Sequence, residues 1–430
     1  MLARAVYRLA TAIALPLAFV YFHWRGRREP SYRAHWGERL GRGAPLAGGP
    51  IWVHAASVGE VVLIAPLVDA LRAQWPDRAV LLTTVTPTGR ERARARFGDT
   101  VRVRYLPLDT VGATRRFMRG VRPAFGVVAE TELWPHLIAA AERADVPMVI
   151  VNASVSTRSA TRYRSPPIAG LVGATLRRLA GIGAISEAHA QRFRALGARR
   201  EAVTVTGNLK FDVPDLSTRL AEGPALRRRW QAEGRPILVA ASTHEGEEAI
   251  VLEAFERLRR RHPQALLVLA PRHPQRFDGV AELLTARSWR YVRRSGGAAV
   301  AADTDVVLAD TLGEVPDFYA AADAAFVGGS LVAGIGGHNV LEPAALGRPI
   351  CVGPHIEDWR DIVDALAETG ALQVVSGSEA LAAVLADWFD APDAGRDAGA
   401  AGARLVAAQG GALADTVAFI RQRVGRDDDI

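Results

Sequence analysis

Several short stretches of this 430-residue chain place glycine, histidine, arginine and carboxylates at spacings suited to binding an anion and activating a hydroxyl. The fullest runs from Phe326 to Pro343, FVGGSLVAGIGGHNVLEP. It reads as a buried strand, a loop with five glycines, and a helix starting near Asn339. Glycine lets backbone amides approach a ligand with no Cβ in the way. A helix N-terminus adds free N–H donors and a partial positive charge. Gly329, Ser330, Gly336, Gly337, His338 and Asn339 would then cradle a phosphate, and Glu342 would hold a ribose hydroxyl, which together make a nucleotide site. An ordinary glycine-rich turn between strand and helix explains the glycines equally well, and at this point both readings stand.

Five other groups fall just past apolar, strand-like runs. In HAASVGE (54–60), Ser57 and Glu60 have capping-box spacing, and Gly59 leaves room for a substrate at the helix mouth. In AETELWP (129–135), Glu130 and Glu132 follow a strand beside Trp134, a poor packing choice unless the carboxylates are used. ASTHEGEE (241–248) offers Ser242, His244 and Glu245 in a strand-to-helix turn. Capping explains an acidic first turn but not a histidine, which suits a neutral donor to a phosphate or sugar oxygen. APRHP (270–274) presents Arg272, able to grip phosphate bidentately, with His273 beside it. GNLKFD (207–212) holds Lys210, the only lysine among 53 basic residues, and reads as a point charge for an anionic ligand. Asp303-Thr304-Asp305 precedes a strand and reads as turn chemistry. The single cysteine, Cys351, reads as a small core residue. No HExxH, GxSxG or clustered cysteine occurs, so metal and serine-hydrolase mechanisms have no support here.

The elements that must carry these groups alternate. Strand-like runs fall at 51–55, 79–84, 102–106, 125–129, 147–151, 182–185 and 203–206. After a polar stretch they resume at 237–242, 266–270, 289–293, 305–309, 323–327, 349–353 and 372–375. Helix-length sequence separates them, the pattern of a parallel sheet covered on both faces. The plan is an α/β chain of two doubly wound, Rossmann-like domains facing across a cleft. Its parts are an anchor helix at 1–24, a domain at 25–212, a linker at 213–234 and a second domain at 235–430. The tail reads as helical and ends in a solvated acidic run, Asp427 to Asp429.

The formal charge is +7, and residues 1–42 contribute most of it, eight arginines against Glu29 and Glu38. Ala10 to Phe22 is uncharged, too short to be a typical spanning helix, and followed by Arg25, Arg27 and Arg28 instead of a cleavage site. A retained signal anchor or an interfacial helix on the cytoplasmic face fits this pattern. No aromatic-interleaved basic groove points to nucleic acid.

Together the motifs YRAHWGERLG (32–41), SVGE (57–60), TPTG (86–89), ETELWP (130–135), TGNLKFD (206–212), STHEGEE (242–248), PRHPQRF (271–277) and GGSL…GGHN (328–339) resemble those of the 3-deoxy-D-manno-octulosonic acid (Kdo) transferases of lipopolysaccharide synthesis. The resemblance implies the glycosyltransferase-B fold and an inverting, metal-independent transfer of Kdo from CMP-Kdo, a co-substrate, with no cofactor. The acceptor would be the 6′-hydroxyl of the phosphorylated, acylated lipid A precursor at the inner membrane. It also implies Glu38 of the GERLG motif as general base. The donor would be held by Lys210, Ser242, His244, Glu245, Arg272, His273 and the glycine-loop residues, with Ser57, Gly59, Glu60, Glu130 and Glu132 on the acceptor side. One departure is NASVS (152–156), where the family commonly has NARLS, so Ser154 replaces an arginine that Arg158 would have to substitute. A transferase using a UDP-sugar and a non-catalytic nucleotide-sugar scaffold are the alternatives.

Overall fold

The computed structural model describes residues 2–166 and 168–425. The acidic run Asp427 to Asp429 lies outside them. Two compact units result: Met1–Asp212 with Gly410–Ile430, and Val213–Gln409.

All fourteen expected strands form, with ends within two residues of the sequence reading. The first unit holds β1 (Ile51–His54), β2 (Val80–Thr84), β3 (Arg102–Tyr105), β4 (Phe125–Ala129), β5 (Met148–Ala153), β6 (Gly181–Ala184) and β7 (Val203–Val205). They are parallel, in the order β3-β2-β1-β4-β5-β6-β7. The second unit holds β8 (Ile237–Thr243), β9 (Leu266–Pro271), β10 (Tyr291–Arg293), β11 (Val306–Leu308), β12 (Ala324–Val327), β13 (Ile350–Val352) and β14 (Leu372–Val374), parallel in the order β10-β11-β9-β8-β12-β13-β14.

Central strands are buried on both faces because helices cover both. In the first unit Trp52, Val128 and Ile150 enter one core layer, while Val53, Val127 and Val149 enter the other. The chain changes winding direction between β1 and β4, and again between β8 and β12. In such sheets, ligands sit beyond the strand ends at these switch points. There the segments after β1 and β4 carry Ser57, Glu60, Glu130 and Glu132. The end of β8 and the turn after it carry Ser242 and His244, and the glycine loop follows β12.

The helices that matter for the first unit are α1 (Leu2–Arg25), α2 (Trp36–Arg39), α3 (Val58–Gln74), α4 (Pro87–Phe97), α5 (Val111–Val121) and α6 (Pro135–Glu142). The apolar run at 10–22 becomes the middle of α1, whose Ala5–Arg25 section is long and apolar enough to cross a membrane. This helix rests on the body of its unit near both ends. Tyr7 Oη donates to Asp109 at 2.7 Å, and Phe22 packs on Tyr32 and Trp36.

Two expected boundaries move. The stretch 213–234, read as a linker, contains the helix Ser217–Arg229, which packs on the helix Val315–Ala321. Gly223 permits that contact, since a Cβ there would lie 2.2 Å from the Ala320 carbonyl oxygen. Arg219 and Arg227 pair with Asp317 and Asp323 across it. The last helix, Ala412–Val424, was assigned to the second domain but belongs to the first unit. Its Phe419, Ile420 and Val424 fill the core layer that includes Val53 and Val149. Asp212 holds its start by accepting from the amides of Gly411 and Leu413. Gly181 makes the close approach possible, because a Cβ there would lie 2.6 Å from the Phe419 ring. Asp305, in the acidic triplet, pairs with Arg259 and Arg290, which agrees with a structural role.

Candidate active site

Glu38 sits on the one-turn helix α2, entered through His35 in a left-handed conformation (φ 57°). Its side chain is mostly buried and held by three hydrogen bonds. Arg90 of α4 forks onto both carboxylate oxygens, and the Tyr105 amide donates at 2.9 Å. His35 Nδ1 lies 3.7 Å away. Arg39, next to Glu38 in sequence, turns into the protein. Its guanidinium lies between the rings of Phe22 and Tyr105, at 4.5 and 3.8 Å, and donates to the Val85 carbonyl at 3.1 Å. Arg90 stacks on the same Tyr105 ring at 4.6 Å. Sequence reasoning missed Arg90 and Tyr105, which lie 52 and 67 residues beyond Glu38. The available signal was TPTG: Thr86 caps α4 by accepting from the Gly89 amide at 3.1 Å, and Arg90 follows directly.

At the β1/β4 switch point the capping box forms. Glu60 accepts from the Ala56 amide at 2.8 Å, and the Ser57 hydroxyl lies 3.1 Å from its other oxygen. Burial, with the charges of Glu130 and Glu132 adding to it, pushes Glu60 up to about 7. Burial likewise raises Glu132, with Glu130 contributing. Glu130 itself has φ 55°, uncommon for a residue with a Cβ. The three carboxylates, drawn from two separate motifs, therefore form one repelling group. A Cβ at Gly59 would meet only Ser57 Oγ, at 3.9 Å, so this helix mouth is open. Lys210 is half-buried in this same unit. It sits in a short 3-10 turn pinned to the end of β5 by Asn152, whose Oδ1 accepts from the Leu209 amide at 2.9 Å. Ser154 uses its carbonyl to accept from the Thr131 hydroxyl.

In the second unit the organising group is Glu247, fully buried. Its carboxylate accepts from four backbone amides: His244 at 2.9 Å, Gly329 at 2.7 Å, Ser330 at 2.9 Å and Leu331 at 2.8 Å. Several expected ligand donors are thereby spent. The Gly329 and Ser330 amides serve Glu247, and the Gly337 amide donates to the Gly329 carbonyl at 2.8 Å. The Ser330 hydroxyl is buried, donating to Val327 and accepting from Gly353. The helix expected near Asn339 begins at Leu341 and runs five residues, too short for much dipole. Asn339 holds its start through the Leu341 amide and donates to Glu342 at 3.1 Å. Glu342 is raised by burial, against that hydrogen bond and the charge of Arg272.

The side chains that remain are histidines and arginine. His244 Nε2 and His338 Nε2 are 2.7 Å apart, and His273 meets His244 edge-on. Burial lowers both members of the pair. His338 falls to about 4, with His244, Arg272 and His273 pushing it further. Both are neutral at pH 7, so one N–H donates to the other's lone pair. A Cβ at Gly329 (φ 70°) would come 2.7 Å from His338, so glycine is required there. Arg272, His273 and Glu245 are exposed, Ser242 has φ 57°, and Gly336 (φ 93°) lies against Asp358. Glu248, next to Glu247, forms a buried pair with Arg276.

Residues 34–213 match the family model for 3-deoxy-D-manno-octulosonic-acid transferase. A 3-deoxy-D-manno-octulosonic acid transferase of Haemophilus influenzae is 38% identical over 418 residues, covering 95% of this chain and 96% of that one. The chain belongs to the Kdo transferase family. A Bordetella pertussis Kdo transferase is 41% identical over 404 residues, 90% of each chain. A UDP-GlcNAc 2-epimerase of Neisseria meningitidis, 15% identical with a TM-score of 0.56 over 87% of this chain and all of that one, shares the fold alone. This Kdo transferase is thus a glycosyltransferase of the glycosyltransferase-B fold.

Two outcomes check the geometry of this transferase. Glu247→Gln presents an NH2 to amides that need acceptors. The second unit is expected to lose at least about 3 kcal/mol, with faster amide exchange at 329–331; unchanged exchange there would show that the loop does not depend on Glu247. Glu60 binds its proton more tightly folded than unfolded. Its contribution to stability is therefore full below pH 4.5 and lost as pH rises toward 7. Glu60→Gln should remove that slope, gaining on wild type by on the order of 1–3 kcal/mol across the window. A pH-independent difference in denaturant midpoints would contradict it.

Proposed function

We propose that this chain transfers Kdo from CMP-Kdo to the 6′-hydroxyl of the phosphorylated, acylated glucosamine disaccharide that precedes lipid A. The transfer would invert the anomeric carbon and use Glu38 as general base. The observation that carries the reading is the setting of Glu38. A carboxylate fixed by Arg90 and the Tyr105 amide borders an open groove, with an exposed histidine 3.7 Å away. Such a group can take the hydroxyl proton as the new bond forms. The hydroxyl oxygen attacks the ketosidic carbon of Kdo, the proton passes to Glu38, and CMP leaves with the bonding electron pair on its phosphate oxygen. No metal cofactor enters this scheme. In the second unit, His244, His338 and Arg272 suit the leaving phosphate and Glu342 the ribose, with the one imidazole N–H that the histidine pair leaves free and a guanidinium replacing the backbone amides that Glu247 occupies. Lys210 remains the candidate for the donor's carboxylate.

The acceptor is a lipid, and α1 supports access to it on the cytoplasmic face of the inner membrane. Val6, Leu9, Ile13, Leu17, Val20 and Trp24 are exposed at helical spacing along one stripe. The opposite side is held at Tyr7 and Phe22, about 22 Å apart along the axis. A helix tied to its domain over that length lies in the interface and does not span it.

The full-length chain should transfer labelled Kdo from CMP-Kdo to the tetra-acylated lipid A precursor. Folded Glu38→Ala should lose at least about 100-fold in kcat; wild-type rates in that variant would remove Glu38 as the base. Ile13→Asp with Leu17→Asp should abolish flotation with vesicles containing anionic lipid, and retained flotation would refute the interfacial role of α1.

A further inference from the structure

A groove of about 530 Å3 opens beside Glu38, within the range of small-molecule sites. Four arginines line it. Arg90 and Arg94 lie one helical turn apart on α4, and Arg102 and Arg104 lie two apart on β3, the edge strand. Helical and strand periodicity each bring a pair to the same surface. Glu38 and Asp99 are the acidic residues on its wall, so cations outnumber carboxylates two to one. Glu38 is committed to Arg90, and Arg104 donates to the Ala44 carbonyl at 2.6 Å. The side chains of Arg94 and Arg102 are exposed, with no hydrogen bond or ion pair of their own among the described residues. Arg90 Nε is buried without a partner. The cations also act on one another: Arg104 is pushed down by burial first, then by Arg102 and Arg90, against the pull of Glu38. Two guanidinium groups without ion-pair partners, crowded by two more, are a ready site for a multivalent anion with several acceptor oxygens.

We propose that this groove binds a phosphate monoester of the acceptor, gripped by Arg94 and Arg102 with Arg104 behind them, so that the acceptor hydroxyl is delivered to Glu38. The proposal rests on the reading of Glu38 as the base. A monoester is preferred over the donor's diester because it carries more charge and the groove borders the acceptor's base. Among the arginines of residues 25–42, Arg42 lies in an adjoining small pocket.

The test uses the full-length chain and Arg94→Gln/Arg102→Gln, with Arg102→Gln alone as a second variant. Both side chains are exposed and unpaired, so melting temperatures should match wild type. The double variant should raise KM for the phosphorylated acceptor about tenfold or more, leaving kcat and KM for CMP-Kdo within twofold. With phosphatase-treated acceptor, wild type and variant should coincide. Separately, calorimetric titration of inorganic pyrophosphate, with CMP present to occupy the nucleotide site, should show binding that the double variant loses. Unchanged kinetics with the phosphorylated acceptor, or equal losses with both acceptors, would overturn the site. A rise confined to KM for CMP-Kdo would assign the arginines to the donor phosphate and overturn the acceptor assignment. If wild type transfers no Kdo yet the arginine-dependent pyrophosphate binding holds, the anion site stands and the catalytic reading fails. Absence of pyrophosphate binding to wild type would overturn the site itself.

Discussion

A carboxylate with no exposed surface, Glu247, holds the second unit's site together. Burying a charge is tolerable only when its hydrogen-bonding capacity is filled. Here four backbone N–H groups from two loops fill it. The β8 loop is thereby tied to the β12 loop across the switch point, which brings His244 against His338. The same interaction decides what the glycine loop can do. The amides of Gly329, Ser330 and Leu331 are turned toward Glu247 and are not free to meet a ligand, whereas Arg272 is exposed.

The first unit solves a similar problem with cations. Arg39, 1% exposed, is held by two aromatic faces and a carbonyl where a carboxylate would be expected. Tyr105 is shared: its ring carries Arg39 on one contact and Arg90 on another, while its amide fixes Glu38. Phe22 of α1 packs on Arg39, so Arg39 and Tyr105 connect the apolar helix to Glu38. The helix read as the approach to a lipid surface and the carboxylate read as the base thus share one packed cluster. The carboxylates Glu60, Glu130 and Glu132 lie at the switch point of the same sheet, with their charges close enough to oppose one another. Of the eight non-glycine residues with positive φ among the described residues, four (His35, Glu130, Asn152 and Ser242) lie at or beside the sequence motifs.

Much of this was readable in the chain. Alternation of short apolar runs with helical stretches located every strand, because a strand buried on both faces must be apolar throughout. Groups just past strand ends were found because loops there cannot pack as core. Pairs within one loop were readable too, such as the Ser57–Glu60 box, since local geometry fixes them. Motif resemblance supplied the family, which 38% identity along 95% of the chain upholds. The arginine partner of Glu38 was not readable, since it comes from a helix 52 residues later. Neither was the role of Glu247, which sits in a quoted motif and acts on amides 82 to 84 residues away.

What the sequence determined by itself were the properties set by local sterics and periodicity: two parallel α/β sheets, their strand positions, an apolar N-terminal helix, and the loops bearing polar groups. Which of those groups meet is settled by long-range folding. Strand order brings β1 beside β4 and β8 beside β12. It returns the last helix to the first unit through Gly181 and Phe419, and it sets α4 against β3 so that four arginines share one groove. Such meetings depend on long-range packing between faces whose apolar patterns are nearly interchangeable. Hydrophobic periodicity tells a residue that it must be buried, and it carries no information about which distant partner will bury it.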